Sequence, residues 1–147
     1  MSIIKFKLPF PPSVNSKYGV SKGRRFKSNR DKEWIDLANQ WINNQNIIPF
    51  KGRCYLSLEL CHPDNRPRDA ANYEKKTTDL LVSREILAGD ERRYLKGVFS
   101  YWNDTPGNYI TVKIIPAEKL DHNFFHFLNS FIAMSTTFPS FIGSGMG

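Results

Sequence analysis

The sequence predicts an α+β fold, a two-layer sandwich in which a small mixed sheet carries helices on one face. Three observations point there. Short segments alternate apolar and polar residues with a period of two, two longer segments repeat apolar residues at helical spacing, and the order is strand, helix, strand, helix, strand, strand. At 147 residues the chain suits a single core. Residues 1–120 read as that domain and residues 121–147 as an apolar C-terminal tail of unassigned role.

The first strand is expected over Ile3–Leu8, where Ile4, Phe6 and Leu8 alternate with Ile3, Lys5 and Lys7. Pro9, Pro11 and Pro12 end it, and a basic loop follows with Lys17, Lys22, Arg24, Arg25 and Lys27 around Gly19 and Gly23. Ser28 resembles an N-cap and Asp31 an acidic first turn. Beyond them Trp34, Leu37, Ala38, Trp41 and Ile42 share one helical face, read as core rather than a base-stacking surface. Pro49 and Gly52 break the chain before a second strand, Arg53–His62. There Cys54, Leu56, Leu58 and Leu60 face one way and Tyr55, Ser57 and Glu59 the other. After a turn rich in charge and proline, Pro63–Arg68, a second helix is expected from about Ala70 to Glu85. Two last strands, Tyr94–Tyr101 and Tyr109–Ile115, flank Asn103-Asp104-Thr105-Pro106-Gly107 and read as a hairpin.

The net charge of +7 and isoelectric point near 9.5 favour a polyanionic partner, although charge alone does not name one. Cys54 and Cys61 stand at opposite ends of one strand and face opposite sides, so they are expected to remain free thiols. That fits a reducing cytoplasm, as does an N-terminus without the pattern of a secretory signal. The tail bears Phe124, Phe127, Leu128 and Phe131 at amphipathic spacing, and Asp121 is its last charged residue. Asn129, Ser130, Ser135 and Pro139 interrupt it, so no membrane contact is expected; docking on the body or on a second subunit is the reading.

The densest charged patch runs from Pro63 to Lys76 and is followed by Asp90. Carboxylates such as Asp69 and Asp90, converging on a hard divalent cation with a lysine nearby, are what phosphodiester cleavage requires. The cation activates water and offsets charge developing in the transition state. Taken singly, each residue also has a structural role. Asp69 fits a helix N-cap, Lys75 and Lys76 a solvated face, and Asp90 a turn residue after glycine.

Two separated motifs carry a resemblance. Leu8-Pro9-Phe10-Pro11-Pro12-Ser13-Val14-Asn15, and Cys61 to Lys75 continued by Leu87-Ala88-Gly89-Asp90, resemble the RusA family of Holliday-junction resolvases over about residues 3–116. The resemblance implies a dimeric RusA-like fold and a structure-selective endodeoxyribonuclease of DNA recombination and repair. Such an enzyme hydrolyses branched DNA, four-way junctions above all, with Mg2+ (Mn2+ as a possible substitute). It matches Asp69 and Asp90 to metal-binding aspartates, Lys75 to a catalytic lysine and Asn72 to the motif asparagine. The family's middle aspartate falls on Ala71, which has no oxygen to offer. Ala71 thus reads as an Asp-to-Ala change, introduced or natural, with Glu74 and Glu91 as conceivable substitutes, and cleavage by the chain as written is expected to be poor.

Phosphate contacts are expected from Lys22, Arg24, Arg25 and Lys27 in the early loop, from Arg66 and Arg68 before the site, and from Asn72, Lys76, Arg92 and Arg93 around it. A homodimer would place two sites symmetrically about a junction. Two other readings stay open. One is a non-catalytic protein that binds branched or single-stranded DNA through a degenerate site; the other is an interaction protein that docks through its tail.

Overall fold

The computed structural model describes residues 2–13, 18–21, 24–27 and 29–122, together with 126, 129 and 133. In chain order the elements are β1 (Ile4–Pro9), β2 (Tyr18–Ser21), β3 (Arg24–Lys27), α1 (Asn29–Asn44), β4 (Cys54–Cys61), a 3-10 turn (Ala70–Tyr73), α2 (Glu74–Ser83), β5 (Leu95–Asn103) and β6 (Tyr109–Pro116). These lie in one compact unit, Met1–Pro116. A second unit, Ala117–Gly147, has helical residues at 117–122, and the His122 and His126 rings stand 4.9 Å apart. The apolar stripe of the tail, from Phe124 to Phe131, falls outside the described residues, as does Ser28.

The main sheet has the order β1-β6-β4-β5, with β4 and β5 parallel and the other pairs antiparallel. Register follows from the period-two pattern. Phe6, Val112 and Leu58 form one cross-strand row, and Leu8, Ile110 and Leu60 the next. All six are buried, because one residue of slip would turn each row out to water. Trp34, Ala38 and Ile42 of α1 and Leu80 and Leu81 of α2 join the same core. Both helices therefore cover one face, as the α+β reading requires. The opposite face carries polar partners: Tyr101 and Asn103 both donate to Glu59, at 3.0 and 2.8 Å, and hold its carboxyl below the ordinary range. At the free edge of β1, the Gln45 side chain accepts from Lys7 N at 2.8 Å and donates to Lys7 O at 2.6 Å, doing for one residue what a neighbouring strand would do.

Both cysteines are free and buried, and burial pushes the Cys54 thiol up to about 11. The second helix begins later than expected, since 70–73 wind as the 3-10 turn. It stops at Ser83, and Glu85 adopts a left-handed conformation, φ 57°. The early basic loop is instead a two-stranded ribbon, with Tyr18 opposite Lys27 and Val20 opposite Arg25. Tyr18, Val20 and Phe26 supply the β-favouring residues that its charges obscure in sequence.

The expected hairpin at the C-terminal end is not formed. β5 and β6 lie on either side of β4, so the chain from Asn103 to Tyr109 must step across the end of that strand. Gly107 makes the step: its N–H donates to His62 O at 3.0 Å, and a Cβ there would lie 2.8 Å from the Tyr109 ring and 3.1 Å from Cys61 Cβ. Turn-forming composition marks a reversal without saying which strand the chain rejoins. We expect Gly107→Ala to lower stability by about 1–3 kcal/mol in urea titration, because the ring can move but the strand cannot. Unchanged stability would mean that the crossover is slack.

Candidate nucleic-acid interface and hydrolytic site

β1 and β4 end, and β6 begins, at the same end of the sheet, and a cleft of about 680 Å3 opens there. Pro9 to Ser13 line it from the N-terminal motif; Pro63, Asp64, Arg66, Pro67, Arg68, Asp69, Asn72 and Tyr73 line it from the second. Arg30, Glu33, Trp34 and Leu37 of α1 and Asn108 before β6 complete it. The two motifs, some fifty residues apart in sequence, thus meet in one place. Local bonds fix the meeting: Trp34 Nε1 donates to Pro9 O at 2.8 Å, and Phe10 N donates to Asn108 O at 3.1 Å. Phe10 packs edge-on to Tyr73 at 4.8 Å, and both neighbour Trp102 at 6.2 Å.

Asp64 organises the charged side of the cleft. Its Oδ1 accepts from Arg66 N at 2.9 Å, and its Oδ2 accepts from Arg66 Nε at 2.9 Å and from Arg66 Nη2 at 2.8 Å. Arg68 adds a bidentate pair, Nη2 to Oδ2 at 2.8 Å and Nη1 to Oδ1. The Arg68 guanidinium lies 6.0 Å from the centroid of Phe10. Arg68 first, then Arg66, hold the Asp64 carboxyl far below the ordinary carboxylate range. A depressed folded pKa means that this contribution is present above the unfolded value and is lost only as pH falls through the folded one. Burial is the main cause of the raised Tyr73 hydroxyl.

Of the expected hydrolytic residues, Asp69 precedes and Ala71 lies in the 3-10 turn beside the cleft, Lys75 is on α2, and Asp90 is in the loop that follows that helix. Asp69 caps the 3-10 turn, accepting from Ala71 N at 3.2 Å, so its structural role is real, and it also faces the cleft. Lys75 Nζ bridges two carboxylates, Asp79 at 2.8 Å and Asp90 at 3.2 Å, which raise its pKa. Asp69, Ala71, Lys75 and Asp90 are all exposed, whereas Asn72 is half-buried in the cleft. Neither conceivable substitute for a carboxylate at 71 is poised for it: Glu74 accepts from Ser100 Oγ, and Glu91 pairs with Arg93 at 3.2 Å.

Asp69 and Asp90 are hard oxygen donors of the kind that Mg2+ or Mn2+ prefers. Among the described residues, however, no group of three or more His, Cys, Asp or Glu side chains could hold a metal ion. The donor set present does not fit a fully ligated divalent cation.

Lys76 corrects the sequence reading. It is 3% exposed, and its Nζ lies 2.7 Å from Asp31 Oδ1, in an ion pair buried between α2 and α1. It is out of reach of a phosphate, and Asp31, in the first turn of α1 as expected, is buried. Arg66, Arg92 and Arg93 are exposed, and Arg68 is half-buried; Arg93 stacks on Tyr94 at 4.8 Å. Arg24, Arg25 and Lys27 lie on β3, while Lys17 and Lys22 fall outside the described residues. Sequence reasoning passed over Asp64, Phe10, Tyr73 and Asp79. Asp79 and Asp64 had only a weak local signal, their spacing of four residues from Lys75 and Arg68.

No helix among the described residues is long and apolar enough to cross a membrane. No protein-family profile matches the chain. The chain is similar to the crossover junction endodeoxyribonuclease rusA of Enterobacteria phage HK97, with 26% identity over 125 residues, covering 82% of this chain and all of the phage protein.

Proposed function

We propose that this chain is a RusA-like protein of branched DNA, built as a structure-selective endodeoxyribonuclease for four-way junctions and carrying a hydrolytic site one carboxylate short. The observation that carries the reading is the convergence of the two motifs on one cleft that bears Arg30, Arg66 and Arg68. Similarity over the whole length of a crossover junction endodeoxyribonuclease supports it. Arginines at the cleft and on the surface would hold phosphates without reading sequence, as recognition by DNA shape needs. Asp69 and Asp90 would supply two ligands to Mg2+ or Mn2+. Such an ion supplies an activated water and offsets charge on the phosphate where a full carboxylate set holds it, which position 71 as alanine does not provide. Lys75, already held between carboxylates, would place an ammonium beside the reacting phosphate. A homodimer would put two such sites about the two-fold axis of a junction.

The deficiency at Ala71 supports a second reading, a non-catalytic binder of branched or single-stranded DNA. Both readings expect DNA binding, and the junction reading expects a preference. In gel-shift titrations, a four-way junction should bind more tightly than a linear duplex of the same length. Affinity for both should fall steeply with salt, and Arg68→Ala should reduce the salt slope by about one. Equal affinity for junction and duplex would overturn the structure-selective reading.

A further inference from the structure

Asp64 is an acidic residue in the middle of what should be an anion-binding surface, and nothing in the hydrolytic chemistry calls for it. A carboxylate there has two possible consequences. It can compete with DNA phosphate for the arginines, or it can set the arginines in the geometry that a phosphate needs. The bonds decide between them. Asp64 Oδ1 accepts from Arg66 N two residues on, which closes an Asx turn and ties the carboxylate to its own backbone. It cannot swing aside for a phosphate without opening that turn. It spends its oxygens on Nε and Nη2 of Arg66 and on both Nη atoms of Arg68. A guanidinium has five N–H donors, so each arginine keeps donors for another oxygen, and the Arg66 side chain is 72% exposed. Arg68 is the more fixed of the two. Its side chain is only 14% exposed, packed near Phe10 and bonded through Nη1 to Arg66 O at 3.3 Å.

We propose that Asp64 is a positioning residue that clamps Arg66 and Arg68 side by side as a preset two-armed site for a DNA phosphodiester at the mouth of the cleft. Two guanidiniums on one carboxylate leave a net positive site, matched to a singly charged phosphodiester. Free arginines would lose substantial rotamer freedom on binding; these have lost it on folding. Because Asp69 and Asn72 line the same cleft, the held phosphate enters beside the hydrolytic turn. This deepens the branched-DNA reading and rests on it.

The test turns on a sign. Asp64→Asn keeps the size of the side chain and adds one unit of positive charge to the protein, so general electrostatics expects tighter DNA binding. The clamp expects the reverse, a loss of roughly three- to tenfold in affinity. Affinity is measured by fluorescence anisotropy on a labelled four-way junction and a labelled duplex, with thermal unfolding to show that the variant is folded. In an Arg66→Ala, Arg68→Ala background the further change to Asn should have no effect, since nothing is left to position. Unchanged or tighter binding by Asp64→Asn overturns the clamp, as does an equal loss in the background without the arginines. If the unaltered chain shows no junction preference but Asp64→Asn still weakens binding through the arginines, the clamp stands and the junction reading falls. If the unaltered chain binds neither DNA, both fall.

Discussion

Ala71→Asp will raise Mg2+-dependent cleavage of a synthetic four-way junction by about two orders of magnitude or more, equivalent to about 3 kcal/mol or more of barrier. Position 71 can take the carboxylate at little structural cost. Ala71 is exposed, lies within the 3-10 turn and is two residues from Asp69. Its N–H donates to Asp69 Oδ1 at 3.2 Å, so a carboxylate at 71 would sit on the same turn as the one at 69. It would also stand just ahead of α2, where negative charge is favourable. Two adjacent carboxylates repel each other until a divalent cation neutralises them, which supplies a readout independent of cleavage. Mg2+ or Mn2+ should raise the melting temperature of Ala71→Asp more than that of the unaltered chain, and EDTA should abolish the difference. Equal cleavage by the two proteins would mean that the metal site has been assigned to the wrong residues. Tight junction binding without cleavage by either would favour the non-catalytic reading.

The sheet was legible because its faces are written in alternation: Phe6 and Leu8, Leu56 to Leu60, and Ile110 to Ile114 each announce a buried side. Strand order was not, because Asn103 to Gly107 have the composition of a hairpin turn and act as a crossover above β4. A turn residue encodes local φ and ψ, whereas strand choice depends on β4, more than forty residues upstream. The expected hydrolytic residues came from motif resemblance, and the cleft brings together part of each stretch that carried it. Their supporting partners were harder to see. Asp64 and Asp79 act at spacings of two to four residues, which leave a weak local signal among many surface charges. Asp31 and Lys76 left none, being 45 positions apart and joined only when α1 and α2 pack.

That pair should have the largest effect on stability. Lys76→Met is expected to cost about 3–5 kcal/mol, because it removes the ammonium that stands 2.7 Å from a carboxylate in a residue only 2% exposed. The corresponding fall in melting temperature is on the order of 10–15 °C for a chain of this size. The cost comes from keeping a buried negative charge after its ammonium is gone, so replacing Asp31 as well should recover most of it. Asp31→Leu with Lys76→Met places two apolar side chains against Trp34, Ile35 and Leu80, which line the small cleft at the pair. The double variant should come within about 1 kcal/mol of the unaltered protein, because the desolvation of two ions roughly cancels their attraction. DNA binding separates this role from the surface role first expected of Lys76. In the folded double variant, junction affinity and its salt slope should match those of the unaltered chain, since an ammonium sealed between two helices releases no counterions from DNA. A slope reduced by about one unit would instead show that Lys76 leaves Asp31 to meet a phosphate.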